Sequence, residues 1–302
     1  RGKGEMSEPV DKVVIGHITI DINSMPGGNV ENVLGGTPTY SGLTLENLNE
    51  KVGIFSKIGN EPPKCFFSGY DGGSLDTSGI LMSSGETTRF ENKYFENGRR
   101  NQICSKFSGT IGTDDIPESY MDADGFYISP VLNEISPEML EKISNNSEGD
   151  VMLDPQGAFR EVKNTGEVVI EKLSNLEEYL SHVDIVKIGM DELTVFEKSS
   201  EKVLKDLLCM GPRVAILTLG KNGAKVMAEN EEIIEVDALN VEPNDITGAG
   251  DVFGAAFLHD YLKNKNLERA ANFANAAAGL KIRYEGPTGF PNMEKISEAL
   301  EN

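Results

Sequence analysis

From Gly109 onward the chain alternates short β-rich runs with helical stretches, and this alternation narrows the folds open to it more than any other feature. Residues 125–129, 151–154, 183–188 and 214–219 read as strands, and 137–143, 173–180 and 199–208 as the helices between them. Such repeats pack as a mostly parallel sheet with helices on both faces. Upstream, residues 13–20 read as a buried first strand and 52–56 as another. A helix over 37–48 lies between them, with Gly36 or Thr37 as its cap and Pro38 in its first turn. Downstream, 224–228 and 233–236 read as a hairpin around Asn230, and Ala-rich helices over 249–262 and 267–283 close the chain.

One stretch breaks the pattern. Residues 89–95 and 102–107 are strand-like and are joined through Glu96-Asn97-Gly98. Asn-Gly is the strongest short hairpin signal, because both residues accept the positive φ that a tight turn demands. An antiparallel ribbon set into an α/β chain is a candidate lid. With no internal repeat and no linker, the expectation is one domain over 10–302, with a lid built mainly from 21–35 and 86–109.

Bulk properties exclude several functions. A formal net charge of -21 over 302 residues repels nucleic-acid phosphates and anionic lipid surfaces, so neither partner is expected. Cys65, Cys104 and Cys209 form no Cys-x-x-Cys pair, and His17, His182 and His259 are scattered. Reduced thiols and no zinc site are the expectation. The sequence shows no leader and no long apolar span, which fits a cytoplasmic protein. Polar residues fall where strands should end: Asp21, Asp154, Lys187 and Thr218-Leu219-Gly220. Ligands of open α/β sheets bind at those ends, although loops are polar in any case.

The segment that carries chemistry is Asn244-Asp245-Ile246-Thr247-Gly248-Ala249-Gly250-Asp251, directly before an apolar helical run. Two glycines around an alanine let backbone N–H groups converge without interference from Cβ atoms. At a helix N-terminus those donors are unsatisfied and partially positive, which makes an anion hole suited to a transferring phosphoryl group. Asp251 in the first turn is placed to accept the proton of an attacking hydroxyl. A plain helix start would need fewer special residues. No Gly-x-x-x-x-Gly-Lys-[Ser/Thr] loop occurs, and the glycine spacing does not suit a dinucleotide fold, which argues against a nicotinamide-dependent oxidoreductase.

Asp245 to Asp251 resembles the C-terminal signature of the ribokinase (PfkB) family of carbohydrate kinases, D-[TA]-T-G-A-G-D, with Ile246 in its variable place. Other pieces lie in the family's order. Asp21 resembles the aspartate that binds substrate hydroxyls, and Gly35-Gly36 the di-glycine hinge of the lid. Lys57-Ile58-Gly59 is similar to its K-[IV]-G turn. Thr218, Gly220 and Gly223 match the T-x-G-x-x-G nucleotide loop, and Asn275 begins the stretch that edges the adenine site. The resemblance spans roughly 13–291. It implies a ribokinase-like three-layer α/β sandwich with a small β lid, ATP and Mg²⁺ as donor and cofactor, Asp251 as base, and Gly248, Ala249 and Gly250 as anion hole. It also implies a monovalent cation near Asp245 and Thr247.

Two departures bear on substrate and metal. Where the family often has K-x-N-x-x-E, this chain reads Lys187-Ile188-Gly189-Met190-Asp191-Glu192. Glu192 is kept as the residue that would organise Mg²⁺ through water, but the asparagine is Gly189. Where sugar kinases often carry a sugar-binding asparagine after the hinge, this chain has Tyr40. That points away from ribose and toward a polyol such as inositol, or a nucleoside against which a ring stacks. Arg160 is either a fork on the transferring phosphate or a surface arginine, and Lys187 either neutralises phosphate or pairs with an acid. Asp21 either binds substrate or closes an Asx-turn. The expected activity is phosphorylation of a hydroxyl on a sugar, polyol or nucleoside. The alternative is a catalytically silent nucleotide or metabolite binder, which Gly189 motivates. A homodimer through the lid is compatible with the exposed ribbon.

Overall fold

In the computed structural model, residues 9–24, 30–60, 74–95, 100–229 and 231–301 are described. The first apolar run does not continue as one strand. β1 (Lys12–Ile15) ends at Gly16, where the backbone passes so close to Ser129 that a Cβ would collide with its carbonyl. The chain bends through His17 and Ile18 and enters a second sheet as β2 (Thr19–Ser24). The expected strand over 13–20 is therefore two strands in two sheets, divided where only glycine fits.

β3 (Val30–Gly35) returns antiparallel to β2, and α1 (Thr37–Asn47) starts from Gly36. β4 (Val52–Ile58) runs parallel to β1, and β5 (Leu75–Asp76) and β6 (Ile80–Met82) extend its far side. β7 (Arg89–Tyr94) and β8 (Arg100–Lys106) form the antiparallel ribbon, and the turn expected at Glu96-Asn97-Gly98 lies outside the described residues. Then follow β9 (Gly125–Ile128), α2 (Pro137–Asn146), β10 (Asp150–Leu153) and a small ribbon of β11 (Arg160–Val162) and β12 (Val168–Ile170). Next come α3 (Leu176–Leu180), β13 (Ile185–Ile188), α4 (Met190–Leu193), α5 (Ser200–Leu208) and β14 (Val214–Thr218). β15 (Ala224–Ala228), β16 (Ile234–Val236), α6 (Ala249–Asn264), α7 (Leu267–Lys281) and α8 (Met293–Glu301) complete the order. Asn230, between β15 and β16, lies outside the described residues.

The central sheet runs β16-β15-β14-β13-β10-β9-β1-β4-β5, with β6 also on β4. Every pair from β4 through β14 is parallel, and β15 and β16 are antiparallel. Successive side chains of a strand face opposite ways, so β1 feeds two cores. Val14 packs on one face with Tyr127, Phe253 and Ala274, while Val13 and Ile15 pack on the other with Phe126, Leu140 and Leu204. This gives the three layers that the alternating pattern implies. The second sheet is ordered β3-β2-β7-β8 and lies within the stretches 21–35 and 86–109 apart from the first residues of β2. Its β8 side is tied to the body: Cys104 N–H donates to Gly166 O at 2.8 Å, and Ile103 bridges Glu167.

At the amino-terminal edge of the central sheet, Glu50 is a buried carboxylate among Lys12 Nζ (3.7 Å), His259 Nδ1 (2.6 Å) and Lys263 Nζ (2.7 Å). Burial pushes this carboxyl up, but His259, Lys263 and Lys12 outweigh it and hold it down at about 2. A depressed carboxylate contributes stability that is complete above the ordinary glutamate range and is lost as pH falls toward the folded value. We expect Glu50→Gln to cost about 3 kcal/mol at pH 7, because Lys12 and Lys263 lose a buried counter-charge and the His259 ring loses its partner. The cost should shrink between about pH 4.5 and 2, the range over which the wild-type carboxylate is lost. Urea unfolding across that pH range checks both statements.

Candidate active site

The turn before α6 is shaped by Asp245 and Gly248. Asp245 Oδ1 accepts the Thr247 N–H at 2.8 Å, and Oδ2 accepts the Gly286 N–H at 2.8 Å. Gly248 caps the helix in the left-handed region, at φ 75°. A Cβ there would collide with the Tyr40 ring, so position 248 is restricted both by conformation and by space. Ala249 N–H turns back to Ile246 O at 3.2 Å. Gly250 and Asp251 follow in the first turn, where an α-helix leaves its N–H groups without an intrahelical acceptor. Gly250 stands beside a cation, since a Cβ built on it would lie 3.5 Å from Lys187 Nζ.

Lys187, at the carboxyl end of β13, is 2% exposed and pairs with Asp154 Oδ2 at 2.5 Å. Glu192 is buried close by, and one of its oxygens accepts the Gly189 N–H at 3.1 Å. Burial first, and then the Asp154 charge, raise the Glu192 carboxyl. Asp251 belongs to the same cluster. Burial, then Asp154, push it up to about 6, against the opposing pull of Lys187, the Thr37 hydroxyl and Arg160. A carboxylate raised that far is a competent proton acceptor near neutral pH.

Asp251 is also held in place by a chain of hydrogen bonds. Thr37 Oγ1 donates to Asp251 Oδ1 at 2.9 Å. With that hydrogen spent, Ser129 Oγ donates to Thr37 Oγ1 at 3.0 Å. Gln156 Nε2 donates to Ser129 Oγ at 3.0 Å, and Arg160 Nη2 donates to Gln156 Oε1 at 3.0 Å. Arg160 Nη1 also donates to Val131 O at 3.0 Å. Every step runs toward the aspartate, so the chain stabilises its ionised form and fixes its rotamer.

The other expected residues fall into two groups. Asp21, Gly35 and Gly36 come together at the junction of the two sheets. Thr19 Oγ1 donates to Asp21 Oδ1 at 2.9 Å, and the Asp21 carboxylate lies against Gly35, where a Cβ would sit 2.6 Å from Oδ2. Thr218, Gly220 and Gly223 form a tight loop after β14: Leu219 N–H donates to Gly223 O at 2.8 Å, and both glycines have positive φ (57° and 77°). Met190, 52% exposed, lies beside this loop, its sulfur 4.0 Å from a Cβ built on Gly220. Two residues are placed differently from their expected contacts. Tyr40 is 2% exposed, with its ring against Gly248 and beneath the Lys281 ammonium, so it supports the turn from below and is not an open stacking surface. Asn275 spends its amide on Asp237 O (3.0 Å) and Val236 O (3.4 Å), which ties α7 to the end of β16.

Thr37, Ser129, Gln156 and Lys281 were not anticipated as site residues. Thr37 and Gln156 sit beside motif residues, and Lys281 is a charge at the end of an Ala-rich run. Ser129 has no local signal.

Comparison with known proteins bears on the fold and the family. The family model described as pfkB family carbohydrate kinase matches residues 11–294. The chain is 30% identical over 268 residues to the cytidine kinase of Thermococcus kodakarensis, covering 86% of this chain and 91% of the relative. A pyrophosphate-dependent kinase in the ribokinase family, solved with a pyrophosphate analogue and myo-inositol, superposes with a TM-score of 0.80 at 23% identity, over 95% of this chain and 99% of the other. Arabidopsis thaliana ribokinase, solved with ribose and ATP, superposes at 0.78 with 18% identity, over 98% of this chain and all of the other (100%). The chain belongs to the pfkB family of carbohydrate kinases, with the ribokinase fold, and is a phosphotransferase.

The Gly248–Tyr40 contact can be tested by stability alone. Gly248→Ala should cost about 3 kcal/mol, combining left-handed strain with overpacking. Adding Tyr40→Ala should remove the overpacking share and leave the strain, a non-additivity that a double-mutant cycle in denaturant measures.

Proposed function

We propose that this chain is an ATP- and Mg²⁺-dependent kinase that phosphorylates a hydroxyl of a nucleoside or, as the second choice, of a cyclitol or other polyol. The carrying observation is the convergence of a raised, directionally hydrogen-bonded Asp251 with the outward amides of Gly250 and Asp251 and with the Lys187 ammonium. Asp251 takes the proton as the acceptor oxygen attacks, while the amides and Lys187 hold charge on the phosphoryl group. Gly248 serves by its conformation and Ala249 as the first residue of the helix. Arg160 acts mainly through Gln156, Ser129 and Thr37 on Asp251.

ATP would lie along the loop carrying Thr218, Gly220 and Gly223, with its base against the exposed Met190. Asn275 shapes that edge by holding residues 236–237. Among the described residues no three His, Cys, Asp or Glu side chains form a ready metal cage. Mg²⁺ typically keeps several waters and adds one or two carboxylates to the phosphate oxygens. Glu192 and Asp154 fit that mode, because their mutual burial leaves negative potential at the site. When bound, the ion would neutralise phosphate charge.

Asp21, with Gly35 and Gly36 beside it, is the acceptor-binding carboxylate, and the β3-β2-β7-β8 sheet is the lid over it. The nucleoside choice is supported by the 30% identical cytidine kinase. With β8 tied to the body, β3 is the lid edge open to pairing with a second copy.

The test is ADP release with Mg·ATP over nucleosides, inositols, pentoses, hexoses and sugar acids, with pyrophosphate as an alternative donor. We expect turnover with a nucleoside or cyclitol, and a loss of about 10²–10⁴-fold in Asp251→Asn. Ligand-dependent melting with no product from any pair would favour the silent binder. The kcat/KM profile should fall on the acid side near pH 6, because the base must be ionised and its pKa is raised to about 6. Thr37→Val, which deletes the bond to the ionised carboxylate, should move that limb up by about one unit. An unmoved limb would detach it from Asp251.

A further inference from the structure

Lys281, the last residue of α7, is fully buried, yet it reaches a polar site. Its Nζ donates to Thr247 O at 3.0 Å and to Tyr284 O at 3.4 Å, and sits 5.0 Å from the centre of the Tyr40 ring. These carbonyls belong to the two segments that Asp245 joins from their amide side, through Thr247 N–H and Gly286 N–H. The backbone there is knitted further by Asn244 and Asp245 N–H groups on Ile282 O, at 2.8 and 3.0 Å. One ammonium and one carboxylate thus bind the segments 244–248 and 282–286 to each other, directly behind the anion-binding turn. Burial lowers the Lys281 pKa and the Asp245 charge opposes that shift.

Two inward-facing carbonyls, a neighbouring carboxylate and the face of an aromatic ring are the surroundings a monovalent cation would seek. The resemblance in sequence led to the expectation of such an ion beside Asp245 and Thr247. The residues present do not fit an added ion, because a tethered ammonium already serves Thr247 O and Tyr284 O. A potassium ion and an ammonium have the same charge and similar size, and two of them cannot share one small buried site.

We infer that Lys281 is a built-in monovalent cation: its ammonium holds the Gly248–Gly250 turn in its anion-binding shape, and the protein needs no exchangeable potassium or sodium ion there. The lysine is a positioning residue. It touches neither the phosphate amides nor Asp251, and it acts through the carbonyl of Thr247. The inference deepens the kinase reading but is tested separately from it.

The experiment compares wild type with Lys281→Met in potassium, ammonium, sodium and tetramethylammonium chloride at equal ionic strength. Methionine keeps the apolar stem and leaves room for an ion at the head. Thermal melting is the first readout and requires no substrate, so it decides even if no acceptor is found. Wild type should melt at the same temperature in all four salts, whereas Lys281→Met should melt lower and recover selectively in potassium or ammonium. Turnover is the second readout. Wild type should vary less than about twofold among the salts, and the variant should be about tenfold impaired in tetramethylammonium and regain activity in potassium. Selective stabilisation or activation of wild type by potassium would overturn the inference, as would a folded variant that is indifferent to the salt. If Lys281→Met does not fold, the wild-type comparison alone decides.

Discussion

The site depends on a buried ion pair, Lys187 with Asp154 at 2.5 Å, held where β10 and β13 end side by side. Both groups are almost without water, so each depends on the other for charge compensation. The surplus is what gives the site its character. Asp251 and Glu192 lie in the field of Asp154, and both carboxyls are raised. Lys187 is the counter-charge for Asp154 and also the cation beside Gly250. A polyphosphate arriving with a divalent ion would meet amides and an ammonium on one side and unneutralised carboxylates on the other. Attraction for an anion in an overall acidic protein is thus local, at the Lys187 ammonium beside Gly250.

Much of this was legible in the sequence because it rests on local rules. The alternating strand and helix periods specify the three layers, and β9, β10, β13, β14 and β15 lie within a residue or two of their expected bounds. Gly36 caps α1 and Gly248 caps α6 because the conformations required there exclude most side chains. What escaped the sequence is non-local. The break of the first strand at Gly16 depends on Ser129 passing close by, more than a hundred positions away. The chain Arg160–Gln156–Ser129–Thr37–Asp251 draws on four separate regions of the sequence, and no spacing rule connects them. Residues 173–175, expected to be helical, stay outside α3, and the amphipathic helix α8, with Asn292 at its start, adds to the elements expected from the sequence. Tyr40 was read as a substrate contact from its place after the hinge, but α1 packs so closely on α6 that its ring is buried against Gly248.

The raised Asp251 carboxyl also carries a cost. At neutral pH Asp251 is ionised in a setting that disfavours its charge relative to the unfolded chain, and with a shift from 3.8 to about 6 this costs up to about 3 kcal/mol before screening by water. The sign is opposite to that of Glu50, whose depressed carboxyl stabilises the fold above the glutamate range. The amino-terminal edge of the sheet thus concentrates favourable electrostatics, while the carboxyl-terminal edge holds the raised carboxyls of Glu192 and Asp251.

The two lysines on either side of the Gly248–Gly250 turn answer one geometric necessity. A peptide whose N–H groups point toward a ligand turns carbonyls the other way, and carbonyls buried behind a dry loop must find donors. In front, Lys187 stands near Gly250 with Asp154 as its partner. Behind, Lys281 meets Thr247 O and Tyr284 O with Asp245 close by. Tyr40 fills the space beneath Gly248 and turns its ring toward Lys281, so the side chain that crowds an alanine at 248 also forms one wall of the ammonium's site. The front charge can act on a ligand, whereas the rear charge can act only on the shape of the loop. A loop made of glycines has little shape of its own, and here that shape is supplied by Asp245, Tyr40 and Lys281.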